Sequence, residues 1–174
     1  MSEQHKPKQA FAFSQPSGSQ PLGSASSGSA SSGAYRGDVL PSEAWAALAS
    51  DAKAQLVDVR TAAEWAYVGV SDLSGLAKKP ILLEWQVFPQ MSRNERFEEV
   101  LRAELIASGA TPDIALYFIC RSGVRSRAAA IAMTAAGFLN CFNIAGGFEG
   151  DPDETHHRGV KNGWKAESLP WRQG

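Results

Sequence analysis

Cysteine and histidine are scarce in this chain: 174 residues hold two Cys and three His. Two cysteines cannot build a disulfide framework or a four-cysteine zinc site, so Cys120 and Cys141 must act singly or as one pair. An excess of either charge is missing as well. The 17 Lys and Arg stand against 18 Asp and Glu, a formal net charge of −1. Without a basic face there is no electrostatic ground for a nucleic-acid partner, and the chain is not acidic enough to be disordered throughout. Long apolar runs are absent too, the longest being a handful of residues against the roughly 20 that span a bilayer. The sequence therefore predicts no membrane partner. A secretory leader needs an apolar core of about 7 to 15 residues, and the only candidate, Ala10-Phe11-Ala12-Phe13, has four. A cytoplasmic setting follows as the default expectation.

The first 34 residues contain no Trp, Tyr, Ile or Val. Between positions 14 and 34 nine residues are Ser and four are Gly, and Gly18, Gly23, Gly28 and Gly33 recur every five residues. These blocks have almost nothing apolar to bury, so the period marks low complexity rather than a solenoid. Residues 1 to 34 are predicted to be a disordered Ser/Gly-rich tether. From residue 35 onward all five Trp and six of the eight Phe appear. A domain of that size buries roughly 68–70% of the surface its unfolded chain exposes, and needs no metal or disulfide staple. Residues 35 to 174 are the expected folded domain.

Within it, short β-branched runs alternate with helical stretches. Pro41 suits a first helical position, and Trp45 and Leu48 then share a face. Leu56-Val57-Asp58-Val59 reads as a strand, and Thr61-Ala62-Ala63-Glu64 has the capping-box spacing that starts a helix. Residues 81 to 88 read as one strand stopped by Pro89. Ser92-Arg93-Asn94-Glu95 repeats the capping-box spacing, predicting a helix that continues through Phe97, Val100, Leu101 and Leu105 to Gly109. The run Ile114-Ala115-Leu116-Tyr117-Phe118-Ile119 is apolar throughout, as a strand covered on both faces must be. A helix over residues 126 to 136, closed by Gly137, and a last strand over residues 138 to 144 precede Gly146-Gly147. Such alternation predicts an α/β fold, a small parallel sheet of about five strands flanked by helices on both faces.

Ligands of such sheets sit beyond the carboxyl ends of the strands. After the most apolar strand come Cys120-Arg121-Ser122-Gly123-Val124-Arg125-Ser126, which lead directly into a helix. A turn of this kind aims several backbone N–H groups inward as an anion-binding nest, and Gly123 permits the close turn. The amides, the positive helix end, Arg121 and Arg125 together favour a nucleophilic thiolate at Cys120.

The loop from Cys120 to Arg125 resembles the Cys-Arg-x-Gly-x-Arg active-site loop of the single-domain rhodanese-like sulfurtransferases. Supporting elements run through residues 35 to 174: Val57-Asp58-Val59-Arg60, Glu64-Trp65, Gly146-Gly147-Phe148, Asn162-Gly163-Trp164 and Leu169-Pro170-Trp171. Where many members carry Gly-His-Ile-Pro-Gly-Ala, this chain has Gly69-Val70-Ser71-Asp72-Leu73-Ser74, a change at the rim of the site rather than at its nucleophile. The resemblance implies a rhodanese-like fold and transfer of a sulfane sulfur. Cys120 would take the outer sulfur of a small-molecule donor such as thiosulfate, become a persulfide, and pass the sulfur to cyanide or a cellular thiol. No cofactor and no metal is implied. The amides of Arg121, Ser122, Gly123, Val124, Arg125 and Ser126 would cradle the negative terminal sulfur, and Arg121 and Arg60 are candidates to orient the sulfonate end of the donor. A phosphatase-like branch of the fold has five residues between cysteine and arginine. Here four separate Cys120 from Arg125 and Ser126 follows, which favours sulfur over phosphate or arsenate.

Blander readings stand beside these. Cys120 also suits a small core residue at a strand end. Arg125 could fasten the loop through a structural ion pair with Glu64 as well as bind substrate. Asp58 reads as a loop-fastening hydrogen-bond acceptor rather than an acid or base, and Arg127 as a solvated helix residue. Cys141 is expected about three residues, ~10 Å, back from the catalytic edge, beyond the ~7 Å that a disulfide spans; it reads as core. His156-His157 have no further Cys or His nearby and read as a solvated loop rather than a metal site. A second functional reading is a sulfur carrier or protein-binding module of a relay or regulatory system, with a sulfur-relay protein as partner and little turnover of its own.

Overall fold

A computed structural model describes residues 35–174, and the tether expected over residues 1 to 34 lies outside the described residues. In chain order the elements are β1 (Gly37–Val39), α1 (Pro41–Ser50), β2 (Gln55–Asp58), α2 (Ala62–Val68), β3 (Val70–Ser71), a 3-10 turn (Ser74–Leu76), β4 (Ile81–Leu82), β5 (Gln86–Val87), β6 (Ser92–Arg93), α3 (Phe97–Ala107), β7 (Ala115–Ile119), α4 (Val124–Ala135), β8 (Asn140–Ile144) and β9 (Trp171–Arg172). Five strands make one parallel sheet in the order β1-β8-β7-β2-β4. The pairs β3/β9 and β5/β6 form small antiparallel ribbons beside it. No helix among the described residues is long and apolar enough to cross a membrane.

The two-residue period of a strand sends neighbouring side chains to opposite faces, and β2 and β7 are apolar on both. Val57, Leu116 and Phe118 pack with Phe97, Leu101 and Leu105 of α3 and Ala129, Ala130 and Met133 of α4. Leu56, Tyr117 and Ile119 pack on the other side with Ala44 and Leu48 of α1, and with Phe148 and Trp164 from the segment after β8. Each fully buried large apolar side chain contributes roughly 1.5–3 kcal/mol, so β7 at the centre is the best-anchored strand. Helices thus cover both faces, as the alternation of elements predicts.

Helix starts follow local chemistry. Pro41 opens α1, where its missing N–H costs nothing, and the Glu43 carboxylate accepts from the Leu40 N–H at 2.7 Å. Thr61 and Glu64 form the expected capping box: the Glu64 N–H donates to Thr61 Oγ1 at 3.2 Å, and the Thr61 N–H donates to the Glu64 carboxylate at 2.9 Å.

Two expectations fail between β4 and α3. Residues 81 to 88 do not form one strand. Ile81–Leu82 pairs with β2, whereas Gln86–Val87 turns away to pair with Ser92–Arg93. Two anchors force the break: Glu84 accepts from the Ala62 N–H at 2.7 Å, and Trp85 stands edge-on to Phe97 with ring centroids 5.0 Å apart. Ser92-Arg93-Asn94-Glu95 is accordingly not a helix start, because strand pairing takes Ser92 and Arg93. Asn94 is drawn back to the Glu84 carbonyl, to which Nδ2 donates at 3.0 Å, and α3 begins only at Phe97. The next helix begins earlier than residue 126: α4 starts at Val124, which draws the end of the cysteine loop into its first turn.

Candidate active site

Cys120 directly follows β7, and its side chain is almost fully buried at the edge of the α3/α4 layer. The Gly123 N–H donates to Sγ at 3.1 Å, and Ser126 Oγ lies 3.2 Å from the same sulfur. Gly123 is the residue that caps α4, at φ +101, a backbone conformation costly for any residue with a Cβ. The sulfur therefore sits against the N-terminus of a 12-residue helix, where the macrodipole favours negative charge.

The loop is clamped from two sides. Behind it, the Phe148 N–H donates to the Cys120 carbonyl at 2.7 Å and the Glu149 N–H to the Arg121 carbonyl at 2.9 Å. Gly147, at φ +61, approaches so closely that a Cβ would lie 2.3 Å from the Cys120 carbonyl oxygen. In front, Arg125 gives two parallel hydrogen bonds to Glu64, Nη1 to Oε2 at 2.8 Å and Nη2 to Oε1 at 2.6 Å. Burial works to raise the Glu64 carboxyl, but the hydrogen bonds from Arg125 and Thr61 outweigh it and hold the group down at about 2. Burial likewise works to lower the Arg125 guanidinium, and Glu64 overcomes this and raises it. Arg125 is thus the ion pair that fastens the loop to α2.

A cavity of about 680 Å³ opens over the loop. Polar and charged residues of its lining include Arg121, Ser122, Glu149 and Arg158 beside Cys120, and apolar ones include Val68, Phe88, Met91 and Val124. Phe88, Met91 and Val124 are exposed at its rim. Of the residues singled out in the sequence, Arg121, Ser122, Val124, Arg125 and Glu64 face this cavity, while Gly123 and Ser126 touch the sulfur.

Arg60 does not reach the site. Strand periodicity carries Asp58 and Arg60 to the same side of β2, and Arg60 is 0% exposed. Its Nη2 and Nε bind Asp58 at 2.6 and 2.9 Å, Nη2 also donates to the Gly69 carbonyl at 2.7 Å, and the guanidinium lies 4.0 Å over the Phe148 ring. The expectation that Arg60 orients a donor is therefore corrected: it is an internal tie. Asp58 fastens this tie, as a hydrogen-bond acceptor. Arg127 is exposed on α4 yet is not merely solvated, since it pairs with Asp38. Cys141 stands opposite Leu116 in the parallel β7/β8 register, four residues before Cys120, and burial pushes its thiol up to about 11. Both cysteines are free. His157 belongs to an exposed loop folded around Asp153, whose Oδ1 accepts from the His157 N–H at 2.9 Å; among the described residues no group of three or more His, Cys, Asp or Glu could hold a metal ion.

Sequence reasoning missed Glu149, Arg158 and the Phe88/Met91 hairpin tip on the cavity wall. Glu149 was findable, because it directly follows the Gly-Gly-Phe turn at a strand end. The others depend on how β5/β6 and the segment after residue 150 fold over the loop, which no local pattern encodes. Asn143 was missed as well: its Oδ1 accepts from Ser126 Oγ at 2.6 Å.

Residues 37–174 match the family described as the STR4 middle domain. The chain belongs to this family. The matched segment of this STR4 middle domain begins at the first residue of β1 and includes every element described above. Among its relatives, the uncharacterized protein RC0915 of Rickettsia conorii is 36% identical over 135 residues, which cover 78% of this chain and 96% of the relative. The uncharacterized protein RP600 of Rickettsia prowazekii is 34% identical over the same length, with the same shares covered. The crystal structure of Rv0390 from M. tuberculosis is 42% identical, with a TM-score of 0.72, covering 81% of this chain and 100% of that one.

Proposed function

We propose that this STR4 middle domain has a rhodanese-like fold and is a sulfurtransferase that carries a sulfane sulfur on Cys120. The observation that carries the reading is the placement of Sγ: it accepts the Gly123 N–H at 3.1 Å at the N-terminus of α4 and borders a cavity open to solvent. Negative charge on a sulfur there meets preorganised N–H dipoles. The Cys120 thiolate attacks the outer sulfur of thiosulfate, a new S–S bond forms, the S–S bond of the donor breaks, and sulfite leaves with the electron pair. Cyanide, or a thiolate in the cell, then attacks the terminal sulfur of the persulfide, and the Cys120 thiolate is regenerated. Arg121 and Arg158 at the cavity wall attract the anionic donor. Arg125 supports sulfur rather than phosphate chemistry, because both ends of its guanidinium are already engaged by Glu64.

A thiosulfate:cyanide assay with intact-mass measurement tests this. The wild type should turn over and show an adduct of about 32 Da, one sulfur atom, and Cys120→Ser should show neither. Equal activity in the variant overturns the proposal, as does aryl phosphatase activity exceeding sulfur transfer. The second reading, a carrier that hands sulfur to a relay protein, is favoured by the exposed apolar Phe88, Met91 and Val124 at the rim, which an inorganic dianion does not use. An adduct without cyanide turnover selects it.

A further inference from the structure

Ser126 has one hydroxyl proton and two neighbours that ask for it. Asn143 Oδ1 lies at 2.6 Å and the Cys120 sulfur at 3.2 Å. Three observations decide between them. First, an amide oxygen at the shorter distance is the stronger acceptor; sulfur accepts weakly. Second, Asn143 cannot turn its amide around, because Nδ2 donates to the Asp38 carboxylate at 2.8 Å, and a flipped amide would set two oxygens face to face. Third, Asp38 is itself fixed as an anionic acceptor by the Tyr35 hydroxyl at 2.7 Å and by Arg127. Burial works to raise the Asp38 carboxyl, and the hydrogen bonds from Asn143, Arg127 and Tyr35 outweigh it and hold it below its ordinary range. Ser126 and Asn143 are both buried, so water does not substitute freely for either partner.

We infer that Asp38 and Asn143 are positioning residues that hold the Ser126 proton away from Cys120 and so restrain the resting cysteine. In this orientation the Ser126 oxygen presents a lone pair to the sulfur. A thiol satisfies it, since the S–H of Cys120 donates to Ser126 Oγ, whose O–H donates to Asn143 Oδ1. A thiolate does not. Either the anion faces a lone pair, or the Ser126 proton turns to the sulfur and leaves a buried amide oxygen without its donor, and an unpaired buried acceptor is unfavourable. The Gly123 N–H and the helix end favour the anion, and the Asp38-Asn143-Ser126 chain opposes it. This deepens the reading of Cys120 as the sulfur-carrying nucleophile and rests on it.

The test is the pH dependence of Cys120 alkylation by iodoacetamide, read by peptide mapping on the full chain with no sulfur donor present, so its outcome is independent of whether thiosulfate is a substrate. Asn143→Ala should move the profile to lower pH and raise the rate near neutrality about threefold or more, with the high-pH plateau unchanged. Asp38→Ala, a change at a partly exposed carboxylate, should reproduce the shift in part without opening the core. Ser126→Ala should be no slower than wild type, and adding it to Asn143→Ala should abolish the gain. The other charged and titratable groups around the loop are Arg121, Arg125 with Glu64, Glu149 and Arg158 at the cavity wall, the internal Asp58/Arg60 tie, and Tyr35 and Arg127 at the far end of the chain; all are retained in these variants. An unshifted Asn143→Ala profile, or a Ser126→Ala enzyme several-fold slower than wild type, overturns the inference, because Ser126 would then be a donor to the sulfur.

Discussion

Glu64 and Arg125 face each other across the front of the cysteine loop, with both carboxylate oxygens and two guanidinium nitrogens engaged. The pair joins the first turn of α4 to the first turn of α2, so it closes the loop without lending its charge to a ligand.

Its pH signature has a definite sign. Glu64 is held at about 2 in the folded chain against an ordinary 4.5. The unfolded chain takes up the proton first, so the linked stability is complete above about pH 4.5 and disappears as pH falls through about 2. With some screening at a partly exposed site it is worth about 2 kcal/mol. Glu64→Gln is expected to lose that amount at pH 7 and to show a flatter stability profile between pH 4.5 and 2, measured by urea unfolding at several pH values.

Arg121 and Arg60 should separate cleanly. Arg121→Ala removes a cavity charge and is expected to raise KM for thiosulfate several-fold, roughly 3- to 10-fold, with kcat little changed. Arg60→Met leaves Asp58 buried without its partner and should cost about 3–5 kcal/mol of stability. Thermal melts and steady-state kinetics on both variants check the division; a stable Arg60→Met variant with a raised KM would reverse the assignment.

Gly147→Ala should be among the most damaging single changes. The added methyl would sit 2.3 Å from the Cys120 carbonyl oxygen at a positive φ, so the clamp must open or the backbone must shift. A loss of at least about 3 kcal/mol is expected, together with loss of activity in whatever fraction remains folded, as read by denaturant titration and assay.

Cys141→Ala should leave activity intact. Its sulfur is buried four positions behind Cys120 in the neighbouring strand, too far back to resolve a persulfide or form a disulfide. Intact mass under non-reducing conditions should show no internal crosslink in the wild type, and turnover per folded molecule should match in both proteins.

The legible parts of this molecule were those written in local pattern. Ile114 to Ile119 is apolar at every position, and it is the central strand; Thr61 and Glu64 have the spacing of a capping box, and they make one. The failures share a cause. Ser92-Arg93-Asn94-Glu95 has the same spacing as that box, but β5 competes for its backbone, and cross-strand pairing wins. Arg60 stands at a strand end like a ligand-binding residue, and its turn inward is fixed by Asp58 and Gly69 together with the ring of Phe148, which is distant in sequence. Phe88, Met91 and Arg158 reach the cavity through tertiary folding of loops. The cysteine loop was readable because its geometry is local; the cavity wall was not, because it is assembled from four separate segments.

Phe148 ties three parts of the molecule together. Its N–H holds the Cys120 carbonyl, its ring lies beneath Arg60, and that ring and Trp171 stand nearly perpendicular with centroids 6.2 Å apart. The closing ribbon and Cys120 are therefore in mechanical series through one residue, by its ring on one side and its backbone N–H on the other. Amide hydrogen exchange at Phe148 becomes a single-residue gauge of how firmly the sulfur-bearing turn is seated, and loosening of β9 should be read there before any chemistry is measured.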